Sequence, residues 1–220
     1  MTDPNYTHMA FLLDASGSMA SIKSDVEGGF DAFIADQRTQ PGRCTVTLAD
    51  FSGPGDYVVR YTGKDVAEVE PLALHPRGMT ALLDSIGRLV TETGEFLAAM
   101  PEEQRPGLVI VGIMTDGNEN SSQEWTHAGI KALIETQEQT YSWVFHYLGA
   151  NQDAIEVGAG LGVRADASLT YAPAAAGSAM AAYSASLTSM RGAVARGEDV
   201  ESARLGSAYT AAQRRKAAES

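Results

Sequence analysis

A chain of 220 residues is longer than a minimal fold and shorter than two full domains, so a single domain with an appendage is expected. With 44% hydrophobic residues it has the side chains for a sizeable core, which excludes a disordered or fibrous protein. Sixteen Lys and Arg against 28 Asp and Glu leave a net charge of −12, which repels phosphate backbones and anionic lipid and argues against nucleic acid and membrane surfaces as partners.

In chain order, the continuous apolar run from His8 to Leu13 ends at Asp14 and fits a strand buried on both faces. From Met19 to Gln37, the positions Ile22, Val26, Phe30, Phe33 and Ile34 have helical spacing, and Pro41 and Gly42 end that helix. Cys44 to Phe51 alternates as a strand. Gly53, Pro54 and Gly55 turn the chain, and Tyr57 to Tyr61 is predicted as its antiparallel partner. A link from Pro71 to Gly78 leads into a second long helix, Thr80 to Met100, marked by Leu82, Leu83, Ile86, Leu89, Val90 and Leu97. The most apolar run, Gly107 to Thr115, is predicted as a central strand stopping at Asp116.

A helix from about Ser122 to Gln137, a strand from Tyr141 to Leu148, a helix from about Gln152 to Leu161 and a short strand at Ser168 to Tyr171 complete the alternation. The expected fold is a doubly wound α/β sheet of six strands, mostly parallel with one antiparallel edge strand and helices on both faces. From Ala172 onward Ala, Ser and Gly dominate, and the charge inverts. Six basic and four acidic residues there face ten basic and 24 acidic ones in the preceding 171. The seam Met180, Tyr183, Leu187, Met190 and Val194 predicts either a last helix covering the sheet, at about 176–194, or a helix that pairs with a partner or a second copy. The domain is drawn at 1–196. Residues 197–220 are expected to be an Ala-rich, locally basic extension with no face to bury, a marginal helix or a mobile segment whose Arg214-Arg215-Lys216 cluster uses an acidic surface of its own body or of a partner.

Three polar signals stand at the ends of predicted elements. Asp14-Ala-Ser16-Gly-Ser18 follows the first strand, Arg77-Gly78-Met79-Thr80 opens the second long helix, and Thr115-Asp116-Gly117 closes the central strand. A parallel sheet that reverses its order between those two strands brings the three loops to one crevice. Asp14, Ser16, Ser18, Thr80 and Asp116 would then offer two carboxylates and three hydroxyls. That oxygen-only set suits a hard divalent ion, above all Mg²⁺.

This pattern resembles the metal-ion-dependent adhesion site of von Willebrand factor A domains, over roughly residues 6–171 in order and spacing. The resemblance implies that Ser16 and Ser18 bind Mg²⁺ or Mn²⁺ directly, that Asp14 and Asp116 bind directly or through water, and that Thr80 binds when ligand is present. It also implies a protein partner that fills the sixth position with an Asp or Glu carboxylate. Gly78-Met79-Thr80 departs from the Gly-Gly-Thr of many members, and Tyr147 to Asp153 resembles a stretch of stand-alone bacterial and phage A domains.

Taken singly, the pieces have plainer explanations. Asp14-x-Ser-x-Ser could serve as a helix N-cap and Thr115-Asp116-Gly117 as a turn. Other chemistries lack their residues. A calcium loop from Asp116 needs Gly where Ser121 stands and Glu where His127 stands. A dinucleotide site needs a differently spaced glycine triplet, a hydrolase elbow needs Gly-x-Ser-x-Gly, and an aspartyl-phosphate enzyme needs Asp where Ser16 stands. The four histidines share no ligand spacing. His75 and Arg77 lie on the expected rim, Arg77 as a contact for an anionic partner, while Cys44, Trp143 and Phe145 are expected in the core. The single cysteine and the lack of a leader or long apolar run fit a reducing, cytoplasmic setting. The expectation is a non-enzymatic, metal-dependent protein-binding module, with an adaptor for an AAA-type ATPase or a metal-dependent phosphohydrolase as alternatives.

Overall fold

The computed structural model describes residues 2–150 and 153–219. The strands are β1 (Asp3–Asp14), β2 (Arg43–Phe51), β3 (Tyr57–Asp65), β4 (Pro106–Thr115), β5 (Val144–Ala150) and β6 (Ser168–Tyr171). They form one sheet in the order β3-β2-β1-β4-β5-β6, parallel throughout except for β3, which runs antiparallel to β2 at the edge. The chain winds outward one way through β2 and the other way through β4, β5 and β6. The switch point therefore lies between β1 and β4.

The helices are α1 (Lys23–Thr39), α2 (Leu82–Ala98), α3 (His127–Tyr141), α4 (Ala154–Leu161), α5 (Ala176–Ala195), α6 (Val200–Gly206) and α7 (Ala211–Ala218). Alternation along the strands sorts the core into two layers. Met9, Phe11 and Leu13 of β1 join Phe30 and Phe33 of α1 and Tyr183 of α5 on one face. Ala10 and Leu12 join Ile86, Leu89 and Val90 of α2 and Ile130 and Ile134 of α3 on the other. Gly112 of β4 keeps the first layer tight, because a Cβ there would lie 2.5 Å from the Tyr183 hydroxyl and 2.8 Å from Phe11. Cys44 and the stacked pair Trp143 and Phe145 are buried as expected. His8 and His146 are buried too, and burial pushes both imidazoles down to about 4.

Several boundaries differ from those expected. A 3₁₀ turn, Gly17–Ser21, precedes α1, which begins at Lys23 rather than Met19. The third long helix begins at His127, not near Ser122, because Asp84 on α2 accepts the amides of Gln123, Glu124 and Trp125 and holds them in a loop. Thr126 then caps α3 through the Gly129 amide. The helix runs on to Tyr141, so β5 starts at Val144 instead of Tyr141. The expected start of the next helix at Gln152, and part of the 147–153 stretch, lie outside the described residues; α4 begins at Ala154 with Asp153 as its cap.

The largest correction concerns the C-terminal segment. Residues 197–220 were expected to have no face to bury, yet Ala203 of α6, Tyr209 and Ala217 of α7 are buried in the layer that contains α1 and α5. The Tyr209 hydroxyl meets His146 Nδ1 at 2.9 Å. Arg204 pairs with Glu138 of α3 at 3.0 Å, and the Ala172 amide donates to the Ala217 carbonyl at 2.8 Å. Arg214 does not rest on an acidic surface: its guanidinium donates to the backbone carbonyls of Ser168 and Ala165 at 2.7 and 2.9 Å. Small side chains let these short helices approach closely, and such a contact leaves little hydrophobic periodicity in the sequence. Among the described residues no helix is long and apolar enough to cross a membrane.

Candidate metal centre

Register places the two carboxylates. Leu13 pairs with Met114, so Asp14 ends β1 level with Thr115, and Asp116 is the first residue to leave β4. Asp14 is fully buried. It accepts the Ser16 amide on Oδ1 at 2.6 Å and the Thr115 hydroxyl on Oδ2 at 2.5 Å. The Ser18 hydroxyl donates to Asp116 Oδ1 at 2.7 Å and lies 3.0 Å from the Ser16 hydroxyl. The Asp14 loop and the Asp116 loop, about a hundred residues apart in sequence, thus share one hydrogen-bonded cluster of oxygens.

Thr80 arrives from a third loop. Gly78 has a φ of +63°, a conformation that favours glycine, and a Cβ there would also lie 2.9 Å from the Ser52 hydroxyl. The loop is tied on both sides: Arg77 N to Ala15 O at 2.6 Å, Gly17 N to Gly78 O at 3.3 Å, and Ala81 N to Ser52 O at 2.7 Å. Thr80 is buried, and its backbone exchanges hydrogen bonds with Asn120, whose side-chain oxygen accepts the Thr80 amide at 3.1 Å. A Cβ added to Gly117 would lie 2.9 Å from Thr80 Oγ1 and 3.6 Å from Asp14 Oδ2, so the Thr80 hydroxyl borders the same crevice. All five residues singled out by sequence are brought together.

The electrostatics favour a cation. Burial pushes the Asp14 carboxyl above its ordinary range; the hydrogen bonds from Thr115 and Ser16 oppose this, and the Asp116 charge adds to it. Burial raises Asp116 as well, against the Ser18 hydrogen bond. Among the described residues no Lys, Arg or His forms a salt bridge with either carboxylate. Nor is there a group of three or more His, Cys, Asp and Glu side chains that could hold a metal, so any site here depends on hydroxyls. Two unpaired carboxylates and three hydroxyls, all oxygen, fit a hard divalent ion and offer little to a soft one.

Arg77 is not free for an anionic partner. Its Nε and Nη2 donate to Asp56 at 2.7 and 2.9 Å, Nη2 also donates to the buried Asp50 at 2.8 Å, and Nη1 donates to the His75 carbonyl at 3.1 Å. Sequence reasoning gave no role to Thr115, which orients Asp14, or to Asn120, which fastens Thr80. Thr115 stands inside a motif already noticed, so its hydroxyl was within reach. Asn120 acts through a backbone contact 40 residues away, which spacing alone does not reveal. Glu119 bonds the amides of Leu83, Ser121 and Ser122, joining the loop after Asp116 to the start of α2.

No protein-family model matches the chain, and no curated protein matches it in sequence. Solved structures do resemble it. Proximal thread matrix protein 1 from the mussel byssus aligns with a TM-score of 0.57 and 16% identity, over 81% of this chain and 45% of that one. The pilus adhesin SpaC from Lactobacillus rhamnosus GG, in its open conformation, aligns with a TM-score of 0.62 and 14% identity, over 83% and 30%. A von Willebrand factor type A structure from Catenulispora acidiphila aligns with a TM-score of 0.52 and 18% identity, over 84% and 43%. The chain spans less than half the length of each of these proteins. Six strands in this order, one antiparallel edge and the likeness to these structures lead to one conclusion: the chain has the von Willebrand factor A fold.

Proposed function

We propose that this protein is a divalent-metal-dependent protein-binding module rather than an enzyme. The observation that carries the reading is the convergence of Asp14, Ser16, Ser18, Thr80 and Asp116 on one crevice, with two carboxylates that pair with no cation among the described residues. In this reading Ser16, Ser18 and Thr80 offer hydroxyl oxygens to Mg²⁺ or Mn²⁺, Asp14 and Asp116 bind directly or through water, and a partner's Asp or Glu carboxylate completes the shell. Binding chemistry is favoured over turnover because the two buried histidines are engaged elsewhere, His8 with Thr45 and His146 with Tyr209, and the bases that do meet hydroxyls here, Asp14 and Asp116, are the carboxylates this reading assigns to the ion. The net charge of −12 supports a protein partner over nucleic acid or lipid, and the single buried Cys44 supports a reducing, cytoplasmic setting.

Melting curves in increasing Mg²⁺ or Mn²⁺ test this. An ion that binds only the folded state raises stability by about 2.7 kcal/mol at 100 times its dissociation constant, and the melting temperature should climb accordingly. A curve unmoved from micromolar to about ten millimolar metal would overturn the proposal.

A further inference from the structure

We infer that the segment offering its carboxylate to this crevice carries an apolar side chain next to the acid and no second acid, and that Met79 is the residue that selects for it. The inference rests on the metal-dependent reading above. Met79 immediately precedes Thr80, yet the two differ sharply: Thr80 is 3% exposed and Met79 is 54% exposed. The left-handed turn at Gly78, closed against Ser52, is what swings the chain so that one residue is buried at the crevice and its neighbour faces solvent. Beside Met79 lies Gly53 of the β2–β3 turn, where even an added Cβ would stop 3.7 Å from the Met79 Cβ; exposed Pro54 follows. Met79, Gly53 and Pro54 make a low apolar shelf at the edge of an otherwise polar mouth. An unbranched thioether suits such a place, because it adapts to whatever apolar group is laid on it.

Charge decides against a second acid. Asp14 and Asp116 together balance one divalent ion, so the partner's first carboxylate already leaves the centre negative. Arg77, the cation nearest in sequence to Thr80, has its guanidinium taken up by Asp56, Asp50 and the His75 carbonyl. Its charge is already met by two carboxylates, and the chain as a whole carries −12. A polyacidic segment is therefore repelled where a single acid with an aliphatic neighbour is held.

The test uses three blocked peptides with the full-length protein: Gly-Asp-Gly-Gly, Gly-Asp-Leu-Gly and Gly-Asp-Glu-Gly. Binding is followed by NMR titration in saturating Mg²⁺, and Mn²⁺ affinity is measured first by electron paramagnetic resonance. The leucine peptide should bind several-fold more tightly than the glycine peptide, each buried CH₂ being worth roughly fourfold, and the glutamate peptide should bind more weakly than either. Met79→Ser, an exposed substitution, should bring the leucine peptide down to the level of the glycine peptide. Equal affinities, a preference for glutamate, or a leucine advantage that survives Met79→Ser would overturn the inference while leaving the metal reading intact. Failure of Mn²⁺ to bind, or peptide binding unchanged by EDTA, would overturn the metal reading and this inference with it.

Discussion

At the crevice, Ser16, Ser18 and Asp116 stand on loops and meet one another through hydroxyl and carboxylate oxygens, with Thr80 bordering them and a buried carboxylate beneath. At the C-terminal cover, Ala203, Tyr209 and Ala217 are packed on α5 and the outer strands, and the polar groups of Tyr209, Arg204 and Arg214 are consumed by His146, Glu138 and backbone carbonyls. The first region stores unsatisfied charge and adds little to folding. The second spends its contacts on holding the chain together and leaves little for a ligand. A residue's distance from the C-terminus is thus a poor guide to its importance for stability; what its side chain touches is a better one.

Removing the cover is the strongest way to break this comparison. Truncation after Arg196 deletes α6, Tyr209 and α7 and strips the partners from His146 and the Ala172 amide, so stability should fall by at least about 3 kcal/mol, the scale of losing one large buried side chain. Denaturation in urea followed by circular dichroism would show it, and an unchanged midpoint would mean that the cover is ornamental. A narrower cut, Tyr209→Phe, leaves the His146 nitrogen unsatisfied and should cost about 1–3 kcal/mol in the same measurement.

Acid provides a gentler probe of the buried layers. His8 and His146 are pushed down to about 4 in the folded chain against about 6.5 when unfolded. The unfolded state then binds more protons between those values. The stabilisation from the neutral imidazoles is complete above about pH 6.5 and is lost as pH falls toward 4. The ring resonances of His8 and His146 should stay in their neutral positions through pH 5.5, while the unfolding midpoint declines over that window. Rings that titrate near 6.5 would show the layers to be open to water.

The smallest expected effect on stability sharpens the contrast from the other side. Ser16→Ala or Ser18→Ala removes one crevice hydroxyl at a loop, so without metal the stability should change by no more than about 1 kcal/mol. The rise in melting temperature on adding Mg²⁺ should nevertheless disappear. A variant that keeps the rise would place the ion elsewhere.

The switch point and the meeting of the five crevice residues were legible because their signals are local. Each apolar run from His8 and from Gly107 ends at a carboxylate, and the winding of the sheet then brings both ends to one switch point. What escaped depends on partners distant in sequence. The start of α3 is set by Asp84, some 40 residues upstream, and Arg77 is captured by Asp50 and Asp56 on the hairpin. The cover escaped for another reason: Ala203 and Ala217 pack by being small, and smallness carries almost no hydrophobic period.

The loop after Asp116 is fastened before any ion arrives: its Glu119 accepts the Leu83 amide at the start of α2, and Asp84 of α2 accepts the loop's Gln123 and Glu124 amides. Thr80 and Asp116 therefore belong to one preassembled frame, and the entropy of arranging them is lost during folding rather than at binding. Calorimetry should see ion uptake with a heat-capacity change near zero, since no apolar surface closes over the ion, whereas a partner seated on the rim should add a negative one.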